Sequence, residues 1–240
     1  ASWNHGYKRL LVDIIKSFKD RGEDEPVIFY EGVTDIHGNY VSGQLISTFF
    51  YYHTGAYPEL YRYTFPKQIL IDMVYPYKGL AMRPVHVGQA SREMINKAFV
   101  IGTYLWIYDL EEDNTFRRDP EQLEYLKKVI ILRKVWLELY GHGVFRDTVG
   151  INVNDSDIMA KLYELGDGSV LIAVANGNKK IGGCLRVYCD VHSVERVLCH
   201  YLDNPDNPIE LMWAEGIEEQ SSYLELELAD CELALIYIEL

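Results

Sequence analysis

The sequence has no cluster of basic residues. Its 23 Lys and Arg stand against 36 Asp and Glu, a formal net charge of −13. Binding to a phosphate backbone or an anionic lipid surface requires grouped Lys or Arg, so neither nucleic acid nor membrane is expected as a partner. Long apolar runs are lacking too. The longest, Ala98 to Leu110, is interrupted by Gly102, Thr103 and Asp109, and a membrane-spanning helix needs roughly 18–20 residues. Cysteine is scarce and late in the chain: Cys184, Cys189, Cys199 and Cys231, with no CxxC pair. That pattern suits neither a zinc site nor a small disulfide scaffold, and the Leu, Val and Tyr neighbours point to buried free thiols. There is no GxxxxGK[ST], no GxGxxG after a strand, no HExxH and no GxSxG, and the seven His show no ligand-like spacing. Phosphate-loop, dinucleotide, zinc-hydrolase and serine-hydrolase chemistries therefore lack their signatures, and no cofactor and no metal are expected. Asp155-Ser156-Asp157 lacks the rest of a calcium loop and reads as a turn.

What is present is apolar surface and tyrosine. Apolar residues make up 48% of the 240 positions, enough for one large core or two modest ones. Tyrosine outnumbers the other aromatics, 19 against 8 Phe and 4 Trp. A flat apolar ring with a hydroxyl suits sugar binding and ordinary strand surfaces alike.

The pattern changes near Gly141–Gly143. Before it, helical spacing dominates. Leu10, Leu11, Ile14, Ile15 and Phe18 fall on one face of a helix over His5–Arg21 that Gly22 is placed to end. A short apolar run, Val27–Tyr30, then suits only a buried strand, the αβ half of a parallel unit. Residues 43–52 fit helix or strand equally. Leu60–Thr64 is expected as a strand, with Pro66 opening a helix to about Val74 that carries Asp72 as a structural carboxylate. Residues 75–91 form a long Pro/Gly loop. Arg92 starts a helix whose end, YLWIYDL, turns to strand, and Pro120 opens the clearest helix, with Leu123, Leu126, Val129, Ile130, Leu132, Val135, Trp136 and Leu139 on a broad face. From Val144 onward, short strand-like runs recur at 144–153, 158–165, 169–175, 183–190, 195–202, 209–214, 222–228 and 232–239. Turn residues separate them, among them Asn176-Gly177, a hairpin signal. The runs YLELELA and LALIYIE are expected to alternate. Strands of this spacing indicate an antiparallel sandwich.

Several segments, taken in order, carry a resemblance. PVIFYEGVTDIHGNY at 26–40 is a strand ending in Glu-Gly and a polar loop. YRYTFP at 61–66, RPVHVG at 83–88 and the long EYLKKVIILRKVWLELYGHGVF at 124–145 follow, and the chain closes on ELALIYIEL. This succession resembles the late part of a (β/α)8 barrel and the β-sandwich that follows it in α-galactosidase-like and related retaining glycoside hydrolases. The resemblance implies an α/β plus all-β fold, with residues 1–142 as a partial barrel and 143–240 as a C-terminal antiparallel β-sandwich. It implies hydrolysis of an O-glycosidic bond in a carbohydrate substrate. A whole barrel takes about 250 residues, so about half of one is expected to lie outside this chain, in an N-terminal part. The first residues, ASWNHGYKRLL, hold neither an initiator Met nor a leader pattern, in keeping with a chain that starts inside a longer one. Secretion and the cytoplasm both stay open.

Glycoside hydrolysis uses two carboxyl groups flanking the bond, and barrels carry them at the carboxyl ends of strands. Glu31 directly follows the run Val27–Tyr30 and is the catalytic candidate, as general acid/base or as a ligand to sugar hydroxyls; a helix-capping or Arg-paired carboxylate is the plainer alternative. Asp35 and His37 in the next loop, Arg83 and His86 in the Pro/Gly loop, Trp106 as a stacking platform beside Tyr104 and Tyr108, and Asp109 after YLWIY are the substrate-binding candidates. Their structural alternatives are an Asx turn, loop salt bridges and core packing. A non-catalytic carbohydrate-binding or structural interaction domain is the competing function.

Overall fold

The computed structural model describes residues 2–31, 37–46, 58–74, 91–107, 120–177, 185–189, 193–215, 222–228 and 232–240. Helix α1, Ser2–Asp20, buries Leu11 and half-buries Ile14, Ile15 and Phe18, as the spacing requires, while Leu10 stays exposed. Its end is a Schellman turn: Gly22 takes φ +68, its N–H donates to Lys19 O, and the Glu23 N–H donates to Phe18 O.

Four parallel strands follow, β1 (Phe29–Glu31), β2 (Gly43–Ile46), β3 (Ile69–Val74) and β4 (Tyr104–Ile107), hydrogen-bonded in sequence order. Helix α2, Pro58–Thr64, lies between β2 and β3, and helix α3, Ser91–Ile101, between β3 and β4. Strand crossovers are right-handed. A sheet that always advances in one direction therefore collects its helices on one face. Here Tyr30 of β1 packs on Tyr7 of α1, ring centroids 5.3 Å apart, and α3 packs on β3 and β4.

The segment from 58 to 74 corrects the sequence-based expectation by exchanging its elements. Leu60–Thr64 is helical and Ile69–Val74 is a strand. Pro58, not Pro66, takes the first helical position, where its missing N–H costs nothing. A run as short as ILIDMV cannot be told apart by periodicity, and its β-branched residues decide for strand. Asp72 is thus a strand residue and fully buried.

Helix α4, Pro120–Val135, continues into a π-helical turn, Trp136–Tyr140. It buries Leu126, Val129, Leu132, Val135 and Trp136, but Ile130 and Leu139, expected on the same face, are exposed.

The remaining strands form two antiparallel sheets. Strands β5 (Val144–Asp147), β7 (Ile158–Glu164), β8 (Val170–Asn176), β10 (Arg196–Tyr201), β11 (Ile209–Glu210) and β14 (Leu233–Glu239) make a six-stranded sheet in the order β11-β10-β14-β8-β7-β5. Strands β6 (Ile151–Val153), β9 (Leu185–Cys189), β12 (Trp213–Glu215) and β13 (Ser222–Leu226) make a four-stranded one, β12-β13-β9-β6. Ile172, Val174, Ile236 and Ile238 of the first meet Val187, Leu224 and Leu226 of the second in one core. On the other face of the six-stranded sheet, Leu171, Ala173, Leu233 and Leu235 pack on Phe99 of α3 and on Leu132 and Trp136. Both faces of β8 and β14 are covered, so VLIAVAN and LALIYIE run apolar; the alternation expected of the latter is not met, whereas Leu224, Leu226 and Leu228 do alternate with exposed Glu225 and Glu227. Each fully buried Leu or Ile here contributes about 1.5–3 kcal/mol. Cys199 is a buried free thiol, and burial raises its pKa to about 12.

Two of the expected strand runs each split where the chain crosses between sheets: 144–153 into β5 and β6, and 209–214 into β11 and β12. Asn176-Gly177 makes no two-residue hairpin either. Strand β8 pairs with β7 and β14, β9 belongs to the other sheet, and the Gly177 N–H donates to Asp157 O at 3.0 Å.

Candidate active site at the carboxyl edge of the parallel sheet

In a parallel sheet all carboxyl ends share one edge, and successive side chains point to opposite faces. The edge here is marked by Glu31, Ile46, Val74 and Ile107. The register sorts the two faces. Tyr30, Gln44, Leu70, Asp72 and Leu105 point toward the helices, with Gln44, Leu70 and Asp72 buried. Phe29, Glu31, Leu45, Ile69, Ile71, Tyr104 and Trp106 point the other way. Among the described residues no helix covers that second face, and Phe29 is 49%, Ile69 37%, Tyr104 38% and Trp106 44% exposed. Gly43 keeps it close-packed where it can: a Cβ there would meet the Phe29 ring and Ile69 O at 2.5 Å.

Glu31 is the last residue of β1, exposed, on this bare face. Its row across the sheet runs Glu31, Leu45, Ile71, Tyr104. The end of β1 thus stands level with the start of β4, so the register climbs as it does in a tilted, closing sheet. Trp106 lies two residues further along β4 on the same face. Three strand spacings, about 14 Å, separate β1 from β4. His37 is elsewhere. It is buried on the helix side, its ring 5.0 Å from both Tyr7 and Tyr30, and the structure does not bring it to the face that carries Glu31. Asp35, Arg83, His86 and Asp109 lie outside the described residues; in the sequence they follow β1, β3 and β4. The bareness of the face was not visible in the sequence, because the residues forming it come from strands that start 14 to 35 positions apart and only register unites them.

A larger cavity lies away from this edge. About 790 Å³ in volume, it sits between α3 and strands β6 to β8, with Asn96, Lys97, Asp157, Lys161 and Asn176 among its walls, and no candidate from the sequence lines it. Among the described residues no group of three or more His, Cys, Asp or Glu is placed to hold a metal ion.

No protein-family model and no curated protein matches the sequence. Solved structures do match. A GH27 β-L-arabinopyranosidase from Geobacillus stearothermophilus aligns with a TM-score of 0.54 at 13% identity, covering 97% of this chain and 54% of its own. The same enzyme as a variant with arabinose bound gives 0.55 over the same shares. The chain has the fold of the C-terminal portion of an α-galactosidase-like glycoside hydrolase. A protein from Bacteroides fragilis NCTC 9343 assigned to the α-galactosidases agrees, with a TM-score of 0.51 at 9% identity over 97% of this chain and 51% of that one. The chain spans about half the length of these structures.

Proposed function

We propose that this chain is the C-terminal portion of a glycoside hydrolase that cleaves O-glycosidic bonds. Residues 1–142 supply the last strands of a (β/α)8 barrel, and residues 143–240 the sandwich behind it. One observation carries this reading: a parallel sheet wound in one direction, among the described residues with helices on one face only and an apolar opposite face bare, and Glu31 at its carboxyl edge. Sheets of this kind are buried on both faces, and in a barrel the helix-free face is the interior, filled by side chains of the other strands. The remaining strands are the partner region expected from elsewhere in the polypeptide.

Glu31 acts in this reading as the acid/base carboxyl or as a ligand to sugar hydroxyls. The second carboxyl comes from Asp35, from Asp109 or from the remaining strands. Arg83 and His86 bind substrate from the loop after β3, and Trp106 stacks on a sugar ring. With β1 and β4 three strands apart, Trp106 serves a different sugar unit from the one whose bond Glu31 addresses. His37, packed against Tyr7 and Tyr30, stands apart from this site.

The test uses the native polypeptide, first sized by intact mass and then assayed on nitrophenyl α-galactosides and β-L-arabinopyranosides. A native mass well above the 27.8 kDa of this chain and a Glu31→Gln variant that folds normally but turns over about 100-fold or more slowly support the proposal. Wild-type turnover in that variant removes Glu31 from the chemistry. Saccharide binding without hydrolysis by either protein replaces the enzyme with a non-catalytic carbohydrate-binding domain.

A further inference from the structure

At the opposite, amino-terminal edge of the parallel sheet, a small cavity opens where α3 turns into β4. Its volume is about 10 Å³, room for one water-sized species. Arg62 of α2, Thr103, Arg133 of α4, Trp136 of the π turn and His142 form its wall. Gly102, with φ +77, lets β7 close on the place: a Cβ there would stand 2.7 Å from the Tyr163 hydroxyl.

The wall is made of donors and positive charge. Arg62 is 4% exposed, and its Nη1 donates to Gln68 O at 2.7 Å. Arg133 donates through Nη2 to Phe99 O at 2.6 Å, at the end of α3, and lies 4.2 Å over the Trp136 ring. Two further donors are unmatched: among the described residues neither Arg62 Nε nor Trp136 Nε1, both buried, has an acceptor. The ionisable groups that act on Arg62 are Tyr163 and Tyr104, and those that act on Arg133 are Tyr163, Tyr104 and Arg62; His142 feels both arginines. Among the described residues no carboxylate acts on either arginine. Burial lowers the pKa of Arg133 to about 10, still far above neutrality, and lowers that of Arg62; a guanidinium keeps its charge in a folded protein.

Buried charges are otherwise paired. Backbone carbonyls meet part of the need here, through their dipoles alone. We propose that the cavity binds one small monovalent anion, chloride being the common one, held by Arg62, Arg133 and the Trp136 indole N–H. A halide accepts from several donors at once and offsets positive charge, which a water molecule does not. Its size excludes phosphate and sulfate. The wall joins α2, the α3–β4 turn and the end of α4 next to Tyr163 of β7, so the anion fastens the parallel sheet to the sandwich.

The experiment is a titration of the chain in sodium gluconate with sodium chloride at constant ionic strength. The indole N–H resonance that disappears in Trp136→Phe is expected to move saturably with chloride, and Tm to rise over the same range. Bromide-soaked crystals are expected to show an anomalous peak between Arg62 and Arg133. Trp136→Phe keeps the ring and loses one charge-assisted hydrogen bond, so the chloride dependence of its Tm is expected to shift to about tenfold higher concentration or more; Arg62→Gln is expected to abolish it. A resonance and Tm that respond alike to gluconate and chloride, or crystals without bromide in the cavity, would overturn the proposal in favour of water.

Discussion

The two sheets that flank α3 are built from similar residues and treated in opposite ways. Strands β8 and β14 of the six-stranded sheet are covered on both faces, by the four-stranded sheet and by α3 and α4. The parallel sheet is covered on its helix side and shows Phe29, Ile69, Tyr104 and Trp106 on the other. The sandwich therefore completes its own core. The parallel sheet does not: among the described residues its second face finds no neighbouring helix. Apolar content alone does not separate the two; which faces find a neighbour does.

The largest expected effect sharpens this contrast directly. Ile236→Ala, at a position with no exposure, is expected to cost about 2–5 kcal/mol through lost burial and a cavity. Ile69→Ala on the bare face is expected to change stability by about 0.5 kcal/mol or less in this chain. Urea denaturation of both variants decides; equal losses would mean that the face is filled.

Alkaline pH probes the same asymmetry next. Burial pushes the Cys199 thiol and the Tyr140 hydroxyl up to about 12, and raises Tyr163 and Tyr201 as well. In the unfolded chain a thiol ionises near 8.5 and a phenol near 10. The folded state then holds more protons than the unfolded one, so stability is fully present below about pH 8.5 and falls as pH rises toward 12. Fully buried Cys199 contributes about 1.4 kcal/mol of loss per pH unit over that window; half-buried Tyr140 contributes less because water screens it. Urea midpoints at pH 8 and pH 10.5 measure the sum, and a flat profile would contradict the tight burial of these groups.

Tyr163→Phe tests the joint between the two regions. The hydroxyl donates to Val100 O in α3 at 2.7 Å, and its removal is expected to cost about 1–3 kcal/mol by stranding a buried acceptor. Calorimetry that separates one transition into two would show that Tyr163 couples the sheets. The smallest effect is expected for Lys128→Ala. Its ion pair with Asp203 at 2.5 Å is exposed, and such pairs contribute about 0–1 kcal/mol, a shift of Tm near the limit of measurement.

The sequence revealed some of this through local signals. Gly22 and Pro120 are helix punctuation, and each stands where it was expected. The errors arose where local signals are ambiguous or where tertiary structure decides. Seven residues of α2 carry too little periodicity to separate helix from strand. The splits at Thr148–Gly150 and Leu211–Met212 follow from the chain leaving one sheet for another, and alternation does not record sheet membership. At the candidate site, the place of Glu31 at a strand end was legible because it closes the apolar run Val27–Tyr30; the burial expected of that run is not met, since β1 is only Phe29–Glu31 and Val27 and Phe29 are exposed. That His37 lies behind the sheet was not, because it depends on α1, whose Tyr7 is thirty residues away. The two buried arginines were equally hidden: Arg62 and Arg133 are 71 positions apart, and only the fold brings them together.

The central place of β14 in the six-stranded sheet, between β10 and β8, bears on how the molecule is made. β8 and β10 have left the ribosome well before the strand that must lie between them. Until Leu233–Glu239 emerges, the apolar flanks of both strands wait unpaired, and the surface on which α3 and α4 dock is unfinished. The nascent chain thus passes through a stage in which helices, parallel strands and half a sandwich exist without a common support, a stage open to aggregation and to chaperone capture.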